Sequence, residues 1–365
     1  MPPDFSREVH CLLGLPFDAV NMASAVLRIK TAAANRSPCF LSTPNLNFLI
    51  ASQSDTAFRN SVINSDLIIA DGMPLVWIAR LLGIPIRERV AGSDLFEQMR
   101  TDSNNRMSVY FFGGMEGVAE KACYKLNAEP SGLVCAGFET PGIGPIQEMS
   151  SSESIEKINV SGADFLIVSL GAKKGQAWIE HNRSRISVPV ISHLGAVINF
   201  VADEVERAPI WIQRYGLEWL WRIKEEPGLW RRYSSDGLKF LWLLVKCVIP
   251  YAWLMKRYKP TRQEINSAAI RLFDGGGEVI IRLNGAWVQD NLKPLRKCIS
   301  GLVLLGKDVR VELEQVTYVD SAFIGLLLLL YDDRMRQGRR LSVCSLQKPV
   351  RQIFRYACAD FLVDR

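Results

Sequence analysis

From position 9 to about 200, short apolar runs alternate with longer stretches in which apolar residues recur every three or four positions. The runs at 9–13, 38–42, 67–70, 107–112, 133–136, 165–170 and 188–192 predict strands, and the stretches 18–33, 93–100, 117–126 and 176–185 predict helices. Such alternation predicts an α/β fold, a Rossmann-like and mostly parallel sheet with helices on both faces. The most apolar run, 238–255, is interrupted by Lys246 and Pro250 and falls short of the roughly 20 clean apolar residues of a spanning helix. It predicts a kinked helix lying in one leaflet, ahead of a tilted span or a helix packed on the next domain. Beyond 260 the pattern changes again. Strands are predicted over 278–283, 309–313 and 341–345, and helices over 289–300, 321–336 and 349–357, a small α/β domain. The 365 residues therefore divide into 1–205, 206–262 and 263–365.

Charge sharpens the middle part. The net charge is +6, and 207–262 hold twelve Lys and Arg against four acids, so the rest of the chain is near neutral. Six of the nine tryptophans fall in the same part, and Trp mixed with Lys and Arg is the composition of a membrane–water interface. The basic block points to an anionic partner, whether nucleic acid, a diphosphate or anionic lipid headgroups. The eight cysteines contain no C-x-x-C pair, which predicts free thiols in a reducing compartment. The N-terminus shows no charged-then-apolar export pattern. With three histidines and no Asp-x-Asp, neither a metal site nor a cofactor is expected.

Two predicted strands deliver polar residues to one rim: Thr43-Pro44-Asn45 after 38–42, and Asp71-Gly72 after 67–70. Ligands of open α/β sheets bind beyond the carboxyl ends of the strands. For Thr43 or Asn45 alone, helix capping is the plainer reading. Asp71 points the other way, because Gly72-Met73-Pro74 already supplies turn and helix-start chemistry. Thr43-x-Asn45, Ala70-Asp71-Gly72-Met73 and 89–95 (RVAGSDL) together resemble the WecG/TagA/CpsF glycosyltransferases of bacterial surface-polysaccharide assembly.

Further segments carry that resemblance. The turn Gly113-Gly114 follows a strand and opens a helix, an arrangement that can present backbone N–H groups to a phosphate. Residues 171–178 (GAKKGQAW) line up with the family's G-x-P-x-Q-E-x-W, with Lys173 for the proline and Gln176 one position late. Asn199 stands where the family often has Asp and is assigned no chemistry. Residues 207–233 follow the C-terminal signature, with Arg207-Ala208-Pro209, Gly216-Leu217-Glu218-Trp219, Arg222 and Arg231-Arg232-Tyr233 in place.

The resemblance implies Asp71 as the base of an inverting transfer. Thr43, Asn45, Arg89, Gly113, Gly114, Gln176, Arg207, Arg214, Arg222 and Arg231 are then the substrate-binding residues. The implied donor is a UDP-sugar (N-acetylmannosamine, its uronic acid or glucose), and the acceptor is a polyprenyl-diphosphate-linked sugar. The implied location is cytoplasmic, peripheral on the inner face of the plasma membrane, so the resemblance implies a diphosphate and lipid headgroups for the basic block and no nucleic acid. Residues 319–326 (VDSAFIGL) resemble the STAS domain, with Ser321 expected as a helix cap. Ala322 occupies the position of the usual switch serine, so a docking role toward a protein partner is expected instead. Two other classes compete. A nicotinamide oxidoreductase rests on the glycine turn alone. A non-catalytic ligand sensor signalling through the STAS-like domain gains only from the altered 173–176 segment.

Overall fold

The structure, a computed structural model, describes residues 3–364 apart from 104–105, 130, 206–207, 210–211, 213–215, 226–227 and 229. It begins with a hairpin. Strands β1 (Val9–Leu12) and β2 (Leu15–Asp18) pair antiparallel, with Leu12 opposite Leu15. Leu13 and Gly14 between them have φ of 49° and 86°, two consecutive positive values that make a type I′ turn. A Cβ on Gly14 would also stand 2.6 Å from the Cys358 carbonyl oxygen. The expectation that 9–13 belongs to the parallel sheet is corrected, as is the helix expected to open at Asp18. Both strands are fully buried. Asp18 pairs with buried Arg7 at 2.6 Å and accepts from the Ile68 N–H at 2.8 Å, tying the hairpin to the sheet's edge.

The first half then alternates as expected: α1 (Met22–Ala34), β3 (Cys39–Ser42), α2 (Leu46–Ser54), α3 (Thr56–Ile63), β4 (Leu67–Ile68), α4 (Met73–Leu81) and α5 (Gly92–Thr101). It continues through β5 (Met107–Gly113), α6 (Val118–Ala128), β6 (Leu133–Glu139), α7 (Ser152–Val160), β7 (Phe165–Ser169), α8 (Ala172–Asn182), β8 (Val190–His193) and α9 (Val197–Val201). Strands β3 to β8 form one parallel sheet in the order β4-β3-β8-β7-β5-β6. Its faces bury alternate residues, Phe111 and Ile167 on one side, Phe112 and Val168 on the other, as a doubly covered sheet requires. Helix α6 packs over β6, which joins Cys123 to Cys135 in a disulfide with Cα atoms 5.2 Å apart. This corrects the expectation that every thiol stays free.

Next come α10 (Glu218–Glu225), α11 (Trp230–Leu243) and α12 (Ile249–Arg257). The last two form one continuous helix through a π turn at Leu244–Val248, where the Ile249 N–H reaches back five residues to Leu244 O. Pro250 lies just beyond, and widening the helix by one residue accommodates its missing N–H and ring, so a π turn replaces the expected kink. The span Tyr233–Arg257 is long and apolar enough to cross a membrane, at a mean hydropathy of 1.6. One face, with Leu243, Cys247, Val248, Tyr251 and Leu254, is buried in the protein's largest core. The opposite face leaves Leu238, Leu241, Trp242, Val245, Ile249 and Trp253 exposed. Packing on the C-terminal domain, expected only as an alternative, is therefore realised on one face.

After α13 (Arg262–Asn266) the C-terminal part contains β9 (Ala269–Asp274), β10 (Glu278–Trp287), α14 (Lys293–Leu302), β11 (Asp308–Val319), α15 (Ser321–Arg336), β12 (Leu341–Cys344) and α16 (Lys348–Tyr356). The sheet order is β12-β11-β10-β9, parallel except for the edge strand β9, which the pattern did not predict. Helix α15 is apolar almost all round: residues 322–330 are all buried, between their own sheet and the hairpin. A Cβ on Gly325 would lie 2.4 Å from the Val9 carbonyl oxygen, so glycine is what lets β1 approach. Arg296 Nη1 donates to the Phe5 and Arg7 carbonyls at 2.5 and 2.6 Å. Asp320, not Ser321, caps α15, accepting from the Phe323 N–H at 2.9 Å. Ser321 Oγ lies 3.0 Å from His10 Nδ1 instead, because the hairpin covers this helix end.

Candidate functional site

At the carboxyl ends of β3 and β4 lies a cavity of about 610 Å³, closed on the outside by α10 and α11. Asp71 is at its floor. Backbone bonds from Ile69 N to Ser42 O, from Asp71 N to Pro44 O and from Val90 N to Ala70 O extend β4 and set Asp71 beside the 43–45 turn. Its Oδ2 accepts from the Gly92 N–H at 3.3 Å, the first residue of α5, whose partial positive end faces the carboxylate. Burial raises the Asp71 pKa to about 6, against the opposing pull of Arg89 and the Gly92 N–H, while Glu218 and Asp94 add to the rise. A carboxylate held near 6 is mostly ionised at neutral pH yet basic enough to accept a proton. A Cβ on Gly72 would meet only ordinary contacts, the nearest 3.7 Å away, so the protein itself does not demand glycine there.

Among the described residues, two polar contacts fasten the outer wall. Arg89 donates to Glu218 of α10 at 2.5 Å and to Asp94 of α5 at 2.6 Å. Asn47 Nδ2 donates to Asp236 of α11 at 2.9 Å. Apart from these the wall is aromatic and aliphatic, with Trp219, Trp221, Tyr233 and Phe240 facing Met73, Trp77 and Phe200. At Gly216, φ 68°, a Cβ would come within 2.8 Å of Met73 Cβ, so the wall closes on α4 only over a glycine.

The expected site residues separate into groups. Asp71, Asn45 and Arg89 line the cavity. Asn45 Oδ1 caps α2 through the Asn47 and Phe48 N–H groups, which leaves its amide NH₂ as a donor. The Arg89 guanidinium is engaged by two carboxylates, so it positions the wall. Thr43 is corrected: it is buried behind α5, its methyl 3.4 Å from where a Gly92 Cβ would be. Gly113 and Gly114 are corrected as well. Their φ of 102° and 86° serve close packing, for a Cβ on Gly113 would strike Ser169 O at 2.6 Å and one on Gly114 would crowd Ile198 at 3.3 Å. Gln176 is fully buried and donates from Nε2 to Ser42 Oγ at 2.7 Å, stitching α8 to β3 outside the cavity. Arg231 is exposed, its guanidinium 5.8 Å from the Trp230 ring centre, and does not reach the cavity. Arg207 and Arg214 lie outside the described residues, as does the side chain of Arg222.

Sequence alone assigned no role to Glu218, Trp219, Tyr233 or Asp236. Glu218, Trp219 and Tyr233 stood in the C-terminal signature. Asp236 had no local signal, because its partner Asn47 is 189 positions away.

Comparison with known proteins accords with this architecture. Residues 10–252 match the glycosyl transferase WecG/TagA/CpsF family, and residues 272–364 match the Mlab, STAS domain. Among relatives, the N-acetylglucosaminyldiphosphoundecaprenol N-acetyl-beta-D-mannosaminyltransferase of Bacillus spizizenii (strain ATCC 23059 / NRRL B-14472 / W23) is 25% identical over 223 residues, covering 60% of this chain and 85% of its own. The protein of the same name from Staphylococcus aureus (strain MW2) is 25% identical over 224 residues, again 60% and 85%. A solved structure of the Bacillus cell fate determinant SpoIIAA in the phosphorylated form is 20% identical, covering 26% of this chain and 89% of its own at a TM-score of 0.24. The family match spans more than half of the chain, which therefore belongs to the WecG/TagA/CpsF glycosyl transferases, enzymes of the hexosyltransferase class, and carries a C-terminal STAS domain.

Proposed function

We propose that the chain is an inverting, metal-independent glycosyltransferase moving a sugar from a UDP-sugar to a polyprenyl-diphosphate-linked sugar, and that it works on the inner face of the plasma membrane. The observation that carries this reading is the Asp71 carboxylate, raised to about 6 at the floor of a cavity whose other walls are mainly apolar. A sugar hydroxyl is a weak nucleophile, and Asp71 takes its proton as it attacks the anomeric carbon. Gly72 leaves room for the sugar beside that carboxylate. The names of the relatives favour N-acetylmannosamine as the donor sugar over its uronic acid or glucose.

The departing diphosphate concentrates negative charge, which permanently charged, planar guanidinium groups stabilise. Arg207, Arg214, Arg222 and Arg231 are proposed for that task. Arg231 reaches the cavity only if the start of α11 shifts inward. The bare face of α11 and α12 supports attachment to a lipid surface. Leu238, Trp242, Val245, Ile249 and Trp253 form its apolar stripe, bordered by exposed Lys239, Lys246, Lys256 and Arg257. On this reading the chain acts as a catalytic part (1–205), an interfacial part (206–262) and a STAS part (263–365).

The test is Asp71→Asn, assayed with UDP-N-acetylmannosamine and a short-chain lipid-linked acceptor. Turnover should fall by roughly 10²–10⁴, the usual contribution of a positioned base, while the chain still folds and melts at or above the temperature of the parent. Activity close to that of the unmodified chain would remove Asp71 from the mechanism.

A further inference from the structure

The long helix and the C-terminal domain meet at two thiols that the transfer reaction does not use. Cys247 lies in the π turn, and Cys358 lies two residues past α16. Their sulfur atoms are 3.6 Å apart. Cys11 of β1 closes the third side, its thiol directed at Ala357 O at 3.7 Å. The π turn matters here, because its extra residue re-aims the side chains that follow, and such turns recur at functional positions. Cys358 is held in the left-handed region at φ 54°, with its carbonyl pressed against Gly14. Both thiols are thus presented by constrained backbone. A disulfide needs about 2.05 Å between sulfurs, an approach of roughly 1.5 Å from the present contact.

We propose that Cys247 and Cys358 are an oxidisable pair that hydrogen peroxide closes into a disulfide, bolting the long helix to the STAS domain. The Cys358 S–H donates to the Cys247 sulfur, which lowers the Cys247 pKa and makes it the nucleophile. The Cys247 thiolate attacks the O–O bond and becomes a sulfenic acid, and the departing hydroxide takes up a proton to leave as water. Cys358 sulfur then attacks the Cys247 sulfur, the S–S bond forms, and the sulfenic oxygen leaves with the Cys358 proton as a second water. Two thiols lose two electrons and the peroxide gains them. Helix α11, which carries Tyr233, Asp236 and Phe240 into the cavity wall, is continuous with Cys247, so the bond fixes that wall's anchor.

The full chain, reduced and freed of reductant, is treated with hydrogen peroxide, blocked with N-ethylmaleimide and digested without reductant. Mass spectrometry should find the peptides of Cys247 and Cys358 joined, and dithiothreitol should separate them. The peroxide-treated chain should unfold several degrees higher than the same chain under dithiothreitol. Much less of that rise should remain in Cys358→Ser, which keeps Cys123 and Cys135 and so cancels their contribution. If Cys358→Ser does not fold, the peptide map of the unmodified chain still decides. Maleimide on both cysteines after peroxide, or separate sulfinic and sulfonic acids with no joined peptide, would overturn the proposal.

Discussion

The cavity over Asp71 and the junction under β1 both form where the C-terminal half of the chain returns to the first half, but different physics closes them. Among the described residues, the cavity wall is held by Arg89–Glu218 and Asn47–Asp236, polar contacts that are only partly buried. Its rim leaves Trp77 and Trp219 about half exposed, at 48% and 44%. The junction is sealed by Val9, Leu12 and Leu13 against the leucines of α15, with a glycine at the point of closest approach. Polar contacts near solvent contribute little each and can be exchanged for contacts with a ligand. A packed apolar seam has no such alternative partner. The wall is therefore suited to opening and the junction to permanence, which makes the STAS domain part of the catalytic half's core rather than a detachable appendage.

The sharpest contrast is between Asp71→Asn, which should remove turnover and keep the fold, and Gly325→Val, which should do the reverse. In Gly325→Val the new side chain meets the Val9 carbonyl carbon and oxygen, which are backbone and cannot rotate away. Overpacking of this kind costs about 1–3 kcal/mol, to be read as a lowered urea midpoint, while the folded fraction keeps its transfer rate. An unchanged midpoint would mean that the seam is loose. Replacing Trp242 and Trp253 by Ser comes next. About 1.5–3 kcal/mol of burial per large apolar side chain predicts a weakening of more than tenfold in flotation on anionic liposomes. Soluble behaviour of the unmodified chain at low salt would remove the lipid-surface reading.

Arg89→Ala tests the wall directly. Each ion pair of Arg89 near solvent contributes at most about 1 kcal/mol, so kcat/KM should fall severalfold, with the urea midpoint nearly unmoved. The last test is stability against pH. Asp71 titrates near 6 when folded and at 3.8 as a free group, so the folded chain binds the extra proton between those values. Stability should therefore fall as pH rises from about 4 through 6. Asp71→Asn escapes that loss and should melt higher than the parent at pH 7, with the difference vanishing below pH 4. Over the same window the parent's kcat/KM should rise with pH as the base ionises.

Legibility differed by residue for physical reasons. The place of Asp71 at the sheet's rim was readable because the apolar run before it ends abruptly in Asp-Gly, a local signal. Gln176 was assigned to the substrate from its place in a loop motif. In the fold its turn of α8 faces inward, and Ser42, 134 positions away, takes its amide. Gly113 and Gly114 announced a backbone need correctly, but which need was invisible: Ser169 and Ile198 stand where a side chain at either position would go. The strand over 9–13 was read but its hairpin partner Leu15–Asp18 was not, because four residues with a proline and a terminal aspartate carry no strand pattern.

The sequence by itself determined the alternation of strands and helices, the apolar character of the long helix, the change of pattern beyond 260 and the candidacy of Asp71. All of these rest on residues close together in the chain, where periodicity and turn chemistry act. Only the tertiary structure decided that one face of the long helix is buried and the other bare. The same holds for Arg89 facing carboxylates, for Cys247 meeting Cys358 and for Gly325 seating β1. Each of these depends on a partner distant in sequence, and no local preference specifies which distant surface a side chain will meet.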